Sequence, residues 1–149
     1  MKLLFIQDSL GTGGAERSNA ELWYFLREKE NVEIKVVVLE HRKVGIEKEI
    51  LSNGFDVTFL KSGAFLSQVN EIKTIIKTFK PDIVHTVLFR SVIRVRMAKL
   101  FLNFFHIESL VNCNYSPIRY KDPKINSAGL TSYKYINRYT ESWGTDLFI

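Results

Sequence analysis

Cysteine is nearly missing from this sequence: Cys113 stands alone among 149 residues. One thiol cannot build an internal disulfide framework or a cysteine-based zinc site, so Cys113 reads as a bystander in a chain suited to a reducing cytoplasm. Long apolar runs are missing too. After Met1 the run "LLFI" is broken by Gln7 and Asp8, too short for the hydrophobic region of a signal peptide or for a membrane span, and no later window supplies one. Acidic residues are scarce in one stretch, where seven basic residues between Arg90 and Lys124 face Glu108 and Asp122 alone, which accounts for the whole net charge of +5. Such a local basic surface suits nucleic acid, an anionic membrane or a phosphorylated ligand, and charge alone does not choose among them.

What is present is regular. With 46% hydrophobic and 25% charged residues the composition is that of a globular protein rather than a disordered one. Residues 1–149 amount to one domain, long enough to bury about two-thirds of its unfolded surface. β-Branched or aliphatic runs at 2–7, 32–39, 55–61, 82–87 and 104–111 predict strands. Helical patterns lie between them at 15–29, 46–53 (ended by Gly54), 66–79 (ended before Pro81) and 89–102. A further helix is predicted over 130–143, closed by Gly144, and "TDLFI" begins another strand. Between them, 112–128 holds two of the three prolines and reads as a long irregular loop. Strands alternating with helices demand crossover connections. The expected fold is therefore α/β, a Rossmann-like doubly wound, mostly parallel sheet with helices on both faces, whose ligands gather at the carboxyl ends of the strands.

At that edge lies "QDSLGTGGAERS", residues 7–18. The dinucleotide fingerprint needs a third glycine where Glu16 stands, and lacks its acidic ribose partner unless Glu40 serves. A phosphate-binding P-loop needs a Gly-Lys-Ser/Thr ending that "GGAERS" does not have. What remains is a loop in which Gly11, Gly13 and Gly14 are expected to take positive φ and approach a ligand, with the N–H groups of Ala15, Glu16 and Arg17 free at the helix start. Two readings stay open: an anion site, or a flexible turn in which Glu16 only complements the helix dipole.

Three stretches together, "GTGGAER" after the first strand, "KPDIVHTVLFRS" at the fourth, and the final "DLFI", resemble the N-terminal half of the family 4 glycosyltransferases of GT-B architecture. The resemblance runs in order along residues 1–149. It implies a nucleotide-sugar donor bound between two Rossmann-like domains, this one holding the acceptor, with a retaining transfer of a glycosyl group to a hydroxyl of a saccharide or lipid-linked acceptor. No metal or other cofactor is implied. Gly11, Gly13, Gly14, Ala15 and Glu16 would meet the donor diphosphate. Arg17, His85, Arg90, Asn112 and Asn114 would lie on the acceptor side. His85 also reads as an enclosed core histidine, since Val84 and Val87 flank it in a central strand. Many relatives carry a histidine where this chain offers Asn112 or Asn114, and asparagine cannot act as an acid or base. The donor-binding half is absent, so this chain is expected to be truncated, inactive alone, and to need its C-terminal domain in cis or in trans.

The basic segment divides in two. Arg90, Arg94, Arg96 and Lys99 form no clean basic stripe, which predicts a core-packed helix with snorkelling cationic ends. Arg90 is the exception, placed at the ligand edge. Tyr115, Arg119, Tyr120, Lys121 and Lys124 mix aromatic and cationic side chains, a combination suited to an anionic leaflet or a polyprenyl-phosphate-type acceptor. Single-stranded nucleic acid could stack on the same mix, but the resemblance implies no nucleic-acid partner. It implies a cytoplasmic protein, peripheral at the inner membrane face. Two other classes remain: a non-catalytic module for a phosphorylated ligand or a separate C-terminal half, and half of a sugar-nucleotide epimerase.

Overall fold

In the computed structural model, residues 1–111 and 115–149 are described. Six parallel strands form one sheet in the order β3-β2-β1-β4-β5-β6. They are β1 (Lys2–Gln7), β2 (Glu33–Val38), β3 (Asp56–Phe59), β4 (Ile83–Thr86), β5 (Phe105–Glu108) and β6 (Leu147–Phe148). The helices are α1 (Gly14–Arg27), α2 (Glu47–Ser52), α3 (Phe65–Phe79), α4 (Phe89–Lys99), the short α5 (Pro117–Tyr120) and α6 (Ser127–Gly144). This is the expected α/β, Rossmann-like architecture.

β1 is central, with neighbours on both sides, and five of its six residues are buried. Alternate side chains feed two cores. Leu4 and Ile6 join Val69, Ile72, Val95 and Ala98 beneath α3 and α4. Leu3 and Phe5 join Ala20, Trp23, Ile46 and Ile50 beneath α1 and α2. α3 buries Gln68, Val69, Ile72 and Ile76, the spacing of one helical face. It stops where Lys80 turns left-handed (φ 52°) and donates its N–H to the Ile76 carbonyl, just before Pro81.

Several boundaries differ from the sequence reading, β5 ending at Glu108 rather than at 111 among them. The stretch 112–128 is not wholly irregular, because proline at the first helical position starts α5 and the Asn126 side chain, accepting from the Ala128 and Gly129 N–H groups, starts α6 several residues before 130. α4 ends at Lys99 instead of 102. The calls at Asn112 and Asn114, and Cys113, lie outside the described residues.

Sheet order reverses between β1 and β4. β1 leads outward to β2 and β3, and the chain then returns to pair β4 with β1, Phe5 opposite His85. The crevice beyond these two strand ends is where ligands bind in such sheets.

Candidate functional site

The loops after β1, β2 and β4 meet at this crevice. Leu39 N–H donates to the Gln7 carbonyl and Glu40 N–H to the Asp8 carbonyl, extending the β1–β2 ladder past the strands. Ile46 N–H donates to the Leu10 carbonyl. Gly45 has φ +153° and sits so close that a Cβ on it would lie 2.1 Å from the Leu10 carbonyl oxygen and 2.6 Å from Gly11 Cα. The β2–α2 loop therefore presses directly on the glycine loop.

Between these loops lies a polar groove of about 570 Å³ lined by Gly11, Thr12, Gly13 and Glu16 on one side and by His41, Arg42 and Lys43 on the other. Gly11, Gly13 and Gly14 do not take positive φ; among the described glycines only Gly45 and Gly54 do. What Gly13 supplies is space. A Cβ there would lie 2.3 Å from Glu16 Oε2, because the Glu16 side chain folds back over the loop and its Oε1 accepts a bond from Ser9 Oγ at 3.4 Å. Glu16 thus brings a nearly buried carboxylate into the groove, besides its N–H at the helix start. Arg17 is exposed on α1, across the sheet from α4, and does not join Arg90.

Behind the crevice a second polar network ties three loops together. Asp8 Oδ1 accepts from the Ser91 N–H at 2.7 Å, so the carboxylate sits on the first turn of α4. Burial raises the Asp8 pKa, and the Ser91 bonds and the charges of Arg90 and Arg94 hold back part of that rise. Arg90 bonds Glu40 at 2.9 Å and Arg42 bonds the same oxygen at 2.8 Å. The Arg90 bond comes first among the causes that lower the Glu40 pKa. Glu40 is therefore occupied by two guanidinium groups, not held open as a ribose partner. Arg94 donates to Gln68 Oε1 at 2.6 Å and to the Arg90 carbonyl at 2.8 Å, with its guanidinium over the Phe65 ring.

His85 is enclosed. Its Nε2 lies 2.7 Å from Ser109 Oγ, its ring packs edge-on against Phe5, and its Nδ1 has no partner among the described residues. Burial alone lowers its pKa to about 4, so the ring is neutral near neutral pH. Gln7 Nε2, Asn19 Nδ2 and Trp23 Nε1 are also buried without partners.

Arg96 overturns the expectation of snorkelling ends. It is fully buried, donating to Glu108 Oε2 at 2.5 Å, to Thr145 Oγ1, to Thr140 Oγ1 and to the Asn137 carbonyl. A Cβ on Gly144 would lie 2.4 Å from Arg96 Cγ. This arginine fastens α6 to α4 and β5. His106, at the start of β5, is part of the same joint: Nδ1 donates to the Gly144 carbonyl at 2.6 Å and Nε2 accepts from Thr86 Oγ1 at 2.7 Å.

α6, so fastened, forms the far wall of a cleft of about 760 Å³, which runs between α4 and α6 from Asp8 and Arg90 at the strand edge to Met97 and Thr140. Tyr115 and Arg119 line it; Tyr115 donates to the Tyr133 carbonyl at 3.2 Å and burial raises its pKa. Tyr120 is half-buried, while Lys121 and Lys124 point to solvent. The predicted aromatic and cationic loop is therefore split between cleft and surface. Sequence reading missed Asp8, Arg94 and the "HRK" at 41–43, although their positions directly after β1 and β2 were a usable signal. Among the described residues no helix is long and apolar enough to cross a membrane, and no three His, Cys, Asp or Glu side chains cluster to hold a metal ion.

No family model and no curated protein sequence matches the chain. Solved structures share its fold. Anabaena HepE in complex with UDP has a TM-score of 0.74 at 14% identity over 99% of this chain and 37% of its own. The lipopolysaccharide outer core galactosyltransferase WaaB, in apo form, has a TM-score of 0.64 at 15% identity over 100% of this chain and 45% of its own. Neisseria meningitidis UDP-GlcNAc 2-epimerase bound to UDP-GlcNAc has a TM-score of 0.59 at 14% identity over 91% and 39%. The chain thus spans about two-fifths of the length of these proteins.

Proposed function

We propose that the chain is the acceptor-side domain of a family 4-like, retaining glycosyltransferase, which moves a sugar from a nucleotide-sugar donor to an acceptor hydroxyl. The observation that carries the reading is the glycine-lined groove at the β1 strand end, with Arg42 and Lys43 on its facing wall, in a sheet that matches UDP-bound HepE along almost the whole chain. N–H groups at the start of α1 would stabilise the negative charge that gathers on the departing diphosphate, more in the transition state than before it. Glu16 would have to swing out of the groove to admit that anion. Arg90 and the cleft behind it would hold the acceptor. The other half of the donor site belongs to a second domain, in cis or in trans, and no metal or cofactor enters the scheme. The basic α5–α6 segment supports peripheral contact with an anionic membrane on the cytoplasmic side.

A UDP-sugar epimerase uses the same fold, but a reaction on one nucleotide sugar has no need of a second large cleft. That favours transfer. The test is an NMR titration of the chain with millimolar UDP, where a half-site worth about 4 kcal/mol is half-filled. Shifts confined to residues 11–17 and 41–43 are expected, and their absence would refute the reading.

A further inference from the structure

The Glu16 carboxylate is placed where an anionic ligand of the groove would sit. Glu16 is the third residue of α1, and its side chain turns back across the glycine loop. Oε1 would lie 3.5 Å from a Cβ on Gly11, and Oε2 2.3 Å from one on Gly13. At this helix start the Arg17 N–H donates to the Gly13 carbonyl at 3.3 Å, so the N–H groups of Gly14, Ala15 and Glu16 precede the helical ladder. The aligned peptide dipoles favour a negative charge there. Glu16 supplies that charge itself.

The carboxylate is enclosed but loosely held. Glu16 is only 8% exposed, yet its one side-chain hydrogen bond among the described residues comes from Ser9 Oγ at 3.4 Å, long for a hydroxyl donor. Among the described residues it makes no ion pair with the facing wall, where His41 bonds Glu47 and Arg42 bonds Glu40. A carboxylate that has lost water for one long bond is poorly compensated. A diphosphate brings more charge and more acceptor oxygens to the same N–H groups and to Lys43 opposite, so it can take the carboxylate's place.

We infer that Glu16 is a displaceable internal anion, which covers the α1 end of the groove until a diphosphate drives it out and so sets how tightly the groove holds its ligand. The inference rests on the reading of the groove as half of a donor site and adds a regulation to it. A carboxylate that covers the site nine-tenths of the time lowers apparent affinity about tenfold. Its return competes with the diphosphate left after transfer and favours release of that product.

NMR titration of the chain with UDP, pyrophosphate and uridine tests it. Glu16→Ala and Glu16→Gln should each bind UDP and pyrophosphate about tenfold more tightly than the unaltered chain, with no gain for uridine, which carries no phosphate. Glu21→Ala removes an exposed carboxylate from the same helix and should change both affinities by less than about twofold, because salt screens a distant surface charge. In the unaltered chain, the side-chain carboxylate carbon of Glu16 should shift as UDP is added. If one Glu16 variant fails to fold, the other decides. Equal or weaker UDP binding in a folded Glu16 variant, an equal gain in Glu21→Ala, or a Glu16 carboxylate resonance that stays still would overturn the inference and leave the groove reading standing. Absence of UDP shifts in every chain would refute the groove reading and this inference with it.

Discussion

The Asp8 carboxylate, just after β1, accepts the Ser91 N–H in the first turn of α4 at 2.7 Å, tying the end of β1 to the helix that follows β4, the two strands between which sheet order reverses. One of the two helix starts at the switch point is therefore bonded to the chain's own anion, and the other, at Gly14, faces the groove into which the Glu16 carboxylate folds. The division of labour is physical: the same helix-terminal N–H groups that could hold a ligand are used at α4 to hold the fold.

Removing that bridge separates its two effects. Asp8→Ala should destabilise the protein by about 1–2 kcal/mol, the cost of losing a side-chain partner at a helix start. Asp8→Asn keeps an acceptor and removes a charge whose burial raises its pKa, so it should be close to neutral. Urea unfolding of both variants decides the matter, and equal losses would contradict it.

The buried Arg96–Glu108 pair should behave as a joint, not as a source of net stability. Arg96→Met strands the Glu108 carboxylate, which is only 5% exposed, and should cost about 3–5 kcal/mol, much of it recovered by adding Glu108→Gln. Gly144→Ala pushes a methyl into the Arg96 stem, 2.4 Å from Cγ, and should cost about 1–3 kcal/mol despite alanine's better helix propensity. Chemical denaturation of the three variants provides the check.

Glycines around the groove should differ. Gly45→Ala meets both a φ of +153° and the Leu10 carbonyl at 2.1 Å, so about 2–3 kcal/mol of stability and the UDP-induced shifts should be lost together. Gly14→Ala meets nothing within 4 Å and should be neutral or stabilising by up to about 1 kcal/mol. Thermal melts paired with the UDP titration read both effects.

Acid should unfold the protein through its histidines. His85 and His106 have pKa values of about 4 against an ordinary 6.5, the lowered case. Their contribution is complete above the unfolded value of 6.5 and is lost as pH falls through about 4. Each shift corresponds to on the order of 3 kcal/mol. His85→Phe keeps the edge contact with Phe5, loses only the Ser109 bond at about 1 kcal/mol, and should halve the fall in stability between pH 6.5 and 4.5. Urea midpoints across that range measure it, and an unchanged slope would rule out His85 as a source.

Much of the fold was legible because each element announces itself locally. β1 is a continuous apolar run because it is covered on both faces, and Pro81 and Gly54 mark ends that the structure respects. Errors arose where one side chain outweighed a pattern. Asn126 started α6 early by capping two N–H groups, and Arg96 was read as a cationic end because sequence cannot show that Glu108, Asn137, Thr140 and Thr145 converge on it. The glycine loop was legible as a feature, but its reason was not: φ stays ordinary at Gly13, and the folded-back Glu16 carboxylate fills the space a Cβ would need.

Sequence by itself determined the alternation of strand and helix, and so the class of sheet and the edge at which loops gather, because hydrophobic period and helix punctuation act over a few residues. Tertiary structure alone decided which polar groups meet. It neutralised Glu40 with Arg42 and Arg90, enclosed His85, and opened the apolar cleft by fastening α6 on a buried arginine, since those outcomes depend on distances between residues as far apart as Asp8 and Ser91.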